Sequence, residues 1–161
     1  MKEEVLKKLK DLNINYKMVE HTPVYTIEDM DALGDIFSNA KICKNLFLRD
    51  QKGKRHFLIV VPEEKRVPLS ELPSKIGSTK LSFASEERLM KYLKLTPGAV
   101  TPLAVTNDEE NAVEVFLDEE LKKEKLLGVH PCDNTATILI TVQDLEKYIN
   151  SCNNKYKYIK F

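Results

Sequence analysis

The sequence is poor in several features that mark whole classes of proteins. None of its 161 residues is tryptophan, and aromatic residues make up 7%. A chain with so few rings offers no broad platform for stacking nucleic-acid bases. The 25 basic residues balance 25 acidic ones, so the formal net charge is zero and no strong overall field attracts a polyanion. These absences exclude a strongly basic nucleic-acid-binding protein but allow a local basic cleft.

Cysteines and long apolar runs are also scarce. The three cysteines, Cys43, Cys132 and Cys152, lie far apart and form no C-x-x-C pair. This spacing argues against a disulfide framework and against a cysteine zinc site. The longest uncharged apolar run, from Phe57 to Pro62, is much shorter than the ~20 residues that cross a bilayer. Since no apolar signal-peptide core follows the charged N-terminus, we expect a cytoplasmic protein.

The residues that are present fit one globular domain, 1–161. A single core typically closes at roughly 100–200 residues. A content of 42% hydrophobic and 31% charged residues is ordinary for such a domain. No internal repeat or Gly/Ser linker divides the chain. Helical and strand patterns are intermixed without a regular βαβ period, which predicts an α+β fold with a mixed sheet.

Hydrophobic periodicity and capping residues predict the individual elements. Helices are expected at 2–12, 26–31, 69–76, 85–95, 118–123 and 141–149. Strands are expected at 14–19, 42–48, 56–61, 80–84, 100–105, 112–117, 126–129 and 136–141. The tail 156–161 alternates weakly, so it either pairs as a last strand or frays. The clearest signal is a hairpin of 42–48 with 56–61, because a turn containing Gly53 separates two apolar runs.

Lys44 stands in an otherwise aliphatic row of a predicted strand. Strand alternation places it on one face with Ile42 and Leu46. One interpretation is an edge-strand lysine whose ammonium reaches water. The other is a ligand for phosphate or ribose in a cleft, since an ammonium is a compact donor for such oxygens. The pattern alone leaves both open.

Two loops carry the other candidate groups. The loop 96–102 contains Pro97, Gly98 and Pro102. It is either a plain connection or a wall whose backbone amides face a substrate, because glycine permits close approach. The loop 128–135 contains His130 near Cys132, but a catalytic Cys–His pair normally comes from separate segments of the chain, which disfavours such a pair here. The histidines are too widely spaced for a metal-ligand motif, and no cofactor motif is present, so no metal and no cofactor is expected.

Four segments together carry a resemblance to a known family. They are Glu20–Pro23, Lys44–Asp50, Pro97–Leu103 and His130-Pro131 followed by Asn134–Thr137. In this order and separation they resemble the YbaK-type aminoacyl-tRNA editing domains, a superfamily that includes the insertion domain of bacterial prolyl-tRNA synthetases. Its free-standing ProX-type branch, the alanyl-tRNA(Pro) deacylases, is the most similar, and the resemblance covers nearly the whole chain.

The resemblance implies a fold, a reaction and partners. The fold is a mixed sheet around a cleft with helices packed outside. The reaction is hydrolysis of the ester between a mischarged amino acid and the terminal ribose of tRNA(Pro), with prolyl-tRNA synthetase as a further partner. Lys44 matches the essential lysine, which holds the phosphate or ribose end of the nucleotide. Gly98 matches the glycine of the G-x-x-x-P loop, where backbone amides would stabilise the oxyanion.

The resemblance also implies a steric pocket for the amino acid. A pocket that admits alanine and excludes proline would complete a double sieve, because one methylene distinguishes substrates by only ~1–3 kcal/mol. His130 matches a histidine that lines this pocket, whereas Cys132 and Asp133 stand where the family has apolar residues. The expected substrate-binding residues are Ile27, Met30, Leu33, Phe37, Asn45, Ala99, Val100, Thr101, Pro102 and His130.

Three alternatives remain open at this point. One is a deacylase of the same fold that acts on Cys-tRNA(Pro). Another is a non-catalytic module that binds tRNA or a nucleotide. The third is a thiol-dependent hydrolase that uses Cys132. A contact with the acceptor stem is a further hypothesis, because residues 41–80 hold ten basic and four acidic side chains, a net charge of +6.

Overall fold

The computed structural model describes residues 1–21 and 39–161, and in these residues eight strands form one mixed sheet. The strands are β1 (Lys17–Glu20), β2 (Ala40–Arg49), β3 (His56–Pro62), β4 (Ser82–Phe83), β5 (Val113–Asp118), β6 (Leu126–Val129), β7 (Ala136–Ile140) and β8 (Tyr156–Ile159). The helices are α1 (Lys2–Asp11), α2 (Leu72–Ile76), α3 (Glu86–Leu93) and α4 (Val142–Ser151), with 3-10 helices at Pro102–Asn107 and Glu119–Lys123. No helix in the described part of the chain is long and apolar enough to span a membrane.

The long strand β2 lies at the centre of this sheet. The order is β1-β7-β6-β2-β3-β5-β8, and β4 pairs with the far end of β2. One edge of β2 pairs with β6 up to Ile42 and with β4 from Leu48 onward. Between these two residues, that edge has no strand partner within the described residues. We call this interruption the β2 gap.

The two faces of the sheet bury two apolar clusters. The larger cluster joins the sheet to α1, α3 and α4 through residues such as Leu9, Leu93 and Leu145. The smaller one packs Leu72 and Ile76 of α2 against the other face. Burying one such side chain stabilises the fold by roughly 1.5–3 kcal/mol. The helices therefore pack outside the sheet, as expected from the sequence.

The local patterns that predicted the elements mostly hold. The predicted hairpin is β2 with β3, and the strand predicted at 126–129 is β6. Ser85 and Thr141 accept hydrogen bonds from backbone N–H groups and cap α3 and α4. The tail pairs in parallel with β5 as β8, so it does not fray. The helix predicted at 26–31 lies outside the described residues.

Two predicted strands are wrong in extent or type. The segment predicted as a strand at 100–105 enters a 3-10 helix at Pro102, because proline lacks a backbone donor and the Thr101 hydroxyl caps the helix at Leu103 N. The strand predicted from 14 begins only at Lys17. Asn13 has a φ of 56°, and Ile14 N–H donates to Leu9 O, which is how a helix end is closed.

His56 is a fully buried imidazole at the start of β3. Its ring centroid lies 4.1 Å from that of Tyr92 and 5.8 Å from that of Phe47. A guanidinium can only donate, so the 2.9 Å contact with Arg88 Nη1 makes His56 Nε2 the acceptor. Burial, and then the positive charge of Arg88, lower the pKa of His56 to about 4. The ring is therefore neutral at physiological pH.

We expect the free energy of unfolding to fall as the pH drops from about 6.5 to about 4. Over this window the unfolded chain binds a proton at His56 and the folded chain does not, so acid favours unfolding. The loss from this group is at most about 1.4 kcal/mol per pH unit. His56→Gln keeps an acceptor for Arg88 but does not titrate. Urea unfolding at pH 7 and pH 5 should give a smaller pH dependence for the variant, and equal dependence in both proteins would contradict the assignment.

Candidate active site

Lys44 lies in the middle of β2, beside the β2 gap. Its side chain is half-buried. In the described part of the chain, Lys44 makes no ion pair and no hydrogen bond, whereas Lys41 on the same strand pairs with Glu64 at 2.8 Å. A cation in the centre of a sheet without a carboxylate partner is available to an anionic ligand. This placement favours the cleft interpretation over an edge-strand lysine.

His130 comes directly after the end of β6, next to the part of β2 that holds Lys44. Ile42 and Gly128 are register partners on the parallel strands β2 and β6, and alternation places Lys44 and His130 two residues further on. Gly128 permits this packing, since a Cβ there would lie 2.5 Å from Ile42 Cδ1. Both candidate residues thus follow the last paired position before the gap.

The proton on His130 can be assigned from its hydrogen bond. Nδ1 lies 2.9 Å from Ala136 O, which can only accept, so Nδ1 carries the hydrogen and Nε2 is an acceptor. Burial lowers the pKa of His130 more than this hydrogen bond raises it. The residue is therefore a neutral imidazole that can accept a hydrogen bond at physiological pH.

The loop 96–102 forms a defined turn beside the loop that contains His130. Ala99 N–H donates to Thr96 O at 3.3 Å, with Pro97 and Gly98 between them. Gly98 has a φ of 92°, and proline followed by glycine in this conformation is typical of a type II turn. A Cβ at Gly98 would lie 3.7 Å from Asn134 Nδ2, so the turn lies beside the loop that follows His130.

The backbone amides of this turn are not equivalent. Ala99 N–H is already used by the turn, which removes it as a donor for a ligand. The N–H groups of Gly98 and Val100 donate to no described residue. Thr101 and Pro102, both predicted to bind substrate, are buried at the start of the 3-10 helix. The free donors of the loop are therefore at Gly98 and Val100.

Asn45 connects β2 to this loop. Its Nδ2 donates to Val100 O at 3.1 Å. The structure thus places Lys44 and Asn45 on opposite faces of β2 within the gap, His130 just past the end of β6, and the Gly98 turn beside the loop that follows His130, joined to β2 through Asn45. Ile27, Met30, Leu33 and Phe37, predicted as pocket walls, lie outside the described residues.

Sequence reasoning underrated His21. Its backbone N–H donates to Thr135 O at 2.8 Å, and its Nε2 lies 2.8 Å from Thr137 Oγ1. Both partners flank the end of the His130 loop. The available signal was that these three residues fall within two of the four segments that carry the family resemblance.

Cys132 and Asp133 are the two residues at which the sequence departs from the family pattern. Asp133 Oδ1 accepts from Thr135 N at 2.8 Å and from Thr135 Oγ1 at 2.6 Å. These bonds, the side-chain one first, lower the pKa of Asp133 and fix the loop. Cys132 has a φ of 64°, and burial raises the pKa of its thiol to about 12. The thiol is therefore protonated at neutral pH and is a poor nucleophile.

Ion pairs neutralise part of the basic segment 41–80. The pairs are Lys41 with Glu64, Arg55 with Glu114, and Lys65 with Asp118 and Glu120. Three of these four carboxylates come from outside the segment. Its local excess of positive charge is thus smaller than the sequence suggested. Within residues 1–21 and 39–161, no group of three or more His, Cys, Asp or Glu side chains is arranged to hold a metal ion.

Comparison with known proteins gives consistent matches. A family model described as the aminoacyl-tRNA editing domain matches residues 21–148. The chain is 51% identical to the prolyl-tRNA editing protein ProX of Acetoanaerobium sticklandii, over 99% of this chain and 96% of that protein. It is 34% identical to the prolyl-tRNA synthetase associated domain-containing protein 1 of Danio rerio, over 100% of this chain and 88% of that protein.

A solved structure supports the fold independently. The crystal structure of a candidate trans-editing enzyme for prolyl tRNA synthetase aligns with a TM-score of 0.71 over 99% of this chain and 96% of that chain. The two sequences are 19% identical, so this likeness concerns the fold alone. Together the matches confirm the mixed-sheet fold and the aminoacyl-tRNA deacylase class that the four segments predicted. The residues assembled at the β2 gap lie within the matched region, and the chain belongs to the aminoacyl-tRNA editing domain family.

Proposed function

We propose that this protein, acting as one domain over residues 1–161, removes alanine from mischarged tRNA(Pro) in trans. The observation that carries the proposal is the unpaired Lys44 in the β2 gap, with His130 just past the end of β6 and the Gly98 turn joined to the gap by the hydrogen bond from Asn45 to Val100 O. It is further supported by the 51% identity to a relative named for prolyl-tRNA editing. The reaction implies a cytoplasmic protein that works alongside prolyl-tRNA synthetase.

The proposed reaction is hydrolysis of an ester. A water molecule attacks the aminoacyl carbonyl carbon, and the carbonyl oxygen becomes an oxyanion in the tetrahedral intermediate. Gly98 N–H and Val100 N–H are the proposed donors that stabilise this charge, and one such donor is typically worth about 3–4 kcal/mol. The intermediate then collapses as the ribose oxygen leaves with a proton, which yields alanine and tRNA.

Lys44 and His130 have different proposed roles in this reaction. The Lys44 ammonium binds the phosphate or ribose of the terminal nucleotide and so positions the ester. The neutral His130 lines the aminoacyl pocket, where its Nε2 can accept a hydrogen bond. The free hydroxyl of the terminal ribose orients the attacking water, so the protein need not supply a strong base. Positioning of this kind can lower the activation free energy by several kcal/mol.

We propose that the choice of amino acid is steric. Ile27, Met30, Leu33 and Phe37 are the proposed walls, together with Val100. A small pocket would admit alanine and reject proline, and the synthetase's own pocket cannot strongly exclude the smaller amino acid. The synthetase's pocket and this smaller pocket therefore select the amino acid in two successive steps.

Deacylation of Ala-tRNA(Pro), Pro-tRNA(Pro) and Cys-tRNA(Pro) tests the proposal. We expect the wild-type protein to hydrolyse the alanyl ester and to leave the prolyl ester intact. Hydrolysis of the cysteinyl ester alone would be consistent with the proposed mechanism but would contradict the proposed specificity for alanine. No hydrolysis of any ester, combined with binding of tRNA, would support a non-catalytic module instead.

Cys132→Ser should deacylate at a rate within about threefold of wild type. A protonated, partly buried thiol contributes no nucleophile, so replacing it with a hydroxyl changes only local packing. The variant and the wild type are compared under single-turnover conditions at pH 7. Loss of the reaction in a variant that retains the wild-type melting temperature would instead support the thiol-dependent mechanism.

A further inference from the structure

We propose that Asn45 is a positioning residue that holds the Gly98 turn in its reactive geometry, rather than a residue that binds the substrate. This inference rests on the proposed function, because it concerns the same oxyanion donors. It assigns to Asn45 a contact with protein backbone where the sequence had suggested a contact with the ligand.

The position of Asn45 is the first observation. It lies within the β2 gap, where strand pairing stops at Ile42 and resumes at Leu48. Across that gap, the loop 96–102 has no ladder of backbone hydrogen bonds to β2 that would fix its distance. Among the residues that the structure describes, the loop is joined to β2 by the hydrogen bond from Asn45 Nδ2 to Val100 O, at 3.1 Å.

The state of the Asn45 amide is the second observation. Its Oδ1 is buried and accepts no hydrogen bond from the described residues. Burying an amide oxygen without a donor is unfavourable, so this half of the amide adds nothing to the stability of the fold. The oxygen of the amide therefore gives no reason for asparagine here. The donating half of the amide, which holds Val100, supplies one.

The consequence concerns the two free amides. Val100 O is turned toward Asn45, which fixes the orientation of the peptide unit between Val100 and Thr101. The turn at Thr96–Ala99 fixes the other end of the loop. Gly98 N–H and Val100 N–H lie between these two anchors. If the Asn45 anchor is removed, the loop that carries the two donors is free to shift, and a displacement of about 1 Å at a reacting group can lower the rate about 100-fold.

The test uses Asn45→Ala and Asn45→Asp, with Asn107→Ala as the matched control. Aspartate has the size of asparagine, but its carboxylate cannot donate to Val100 O. Asn107, at the end of the 3-10 helix, also donates its Nδ2 to a backbone carbonyl, that of Leu93 at the end of α3, at 2.9 Å. Single-turnover deacylation of Ala-tRNA(Pro) is measured over a range of enzyme concentrations. This separates the saturating rate constant from the concentration that gives half of it.

We expect both Asn45 variants to lower the saturating rate constant 10- to 100-fold and to leave the half-saturating concentration within about threefold. Asn107→Ala should change neither. A rate constant equal to that of the wild type, or a change confined to the half-saturating concentration, would overturn the positioning role. The second result would assign Asn45 to substrate contact.

A measurement without substrate separates this inference from the proposed reaction. In ¹H–¹⁵N spectra of the free protein, Asn45→Ala should shift the amides of Gly98 and Val100 and accelerate hydrogen exchange at Ala99 N–H. Asn107→Ala should leave these three amides unchanged. If Asn45→Ala also leaves them unchanged, the anchor is absent and the inference fails. If they change while the wild type hydrolyses no ester, the anchor is real and the proposed function is wrong.

Discussion

Lys44→Ala should reduce the rate of Ala-tRNA(Pro) deacylation roughly 100-fold or more. A charge-assisted hydrogen bond to a phosphate or ribose oxygen contributes about 1.5–3 kcal/mol, and loss of the anchor also misplaces the ester. Lys44 is half-buried and makes no ion pair with the described residues, so its removal breaks no salt bridge. The fold should therefore remain intact, and the melting temperature should stay near that of the wild type.

Lys41→Ala is the natural control for this experiment. Lys41 lies on the same strand but is paired with Glu64 at 2.8 Å and is close to the start of β2. Its replacement should leave deacylation within about threefold, since an exposed ion pair is worth only about 0–1 kcal/mol. Equal losses in both variants would point to a general effect of positive charge on tRNA binding. Full activity of the Lys44→Ala variant would show that Lys44 has no part in the reaction.

Gly98→Ala should lower the rate of deacylation by about 10- to 100-fold. Space does not forbid the new Cβ, since the nearest atom, Asn134 Nδ2, would lie 3.7 Å away. The difficulty is the backbone, because a φ of 92° is strained for any residue with a Cβ. Relief of that strain would rotate the turn and move Gly98 N–H, one of the two proposed oxyanion donors.

Gly77→Ala separates this effect from ordinary backbone strain. Gly77 ends α2 with a φ of 71°, and no other atom lies within 4 Å of its would-be Cβ. Both variants should therefore destabilise the fold by a similar amount, about 1 kcal/mol. Unfolding in urea measures that loss, and single-turnover kinetics measure the rate. If the two variants lose activity in proportion to stability, Gly98 has no special part in catalysis.

Much of the site could be selected from sequence because its residues stand out locally. Lys44 interrupts an aliphatic row, and Gly98 lies between two prolines. Neither pattern distinguished a functional role from a structural one. The resemblance to a family supplied that choice, and the matches to known proteins confirmed the family. The role of Asn45 was not visible, because its partner Val100 lies 55 residues further along the chain.

The local elements followed from the sequence alone wherever a short-range pattern was strong. Two runs of apolar residues and the turn at Gly53 were enough to predict β2 and β3, and Ser85 and Thr141 were enough to predict where α3 and α4 begin. These signals act over a few residues, so no knowledge of the rest of the chain is needed.

Only the tertiary structure decided which strands pair and where pairing stops. Parallel pairing of β2 with β6 joins residues 86 positions apart, such as Ile42 and Gly128, and places Lys44 and His130 each two residues beyond the same paired position. The break in that pairing after Ile42 creates the β2 gap that Asn45 bridges. Periodicity specifies which face of a strand is buried but not its neighbour, because partner choice depends on packing across the whole core. The candidate active site is a product of that long-range choice.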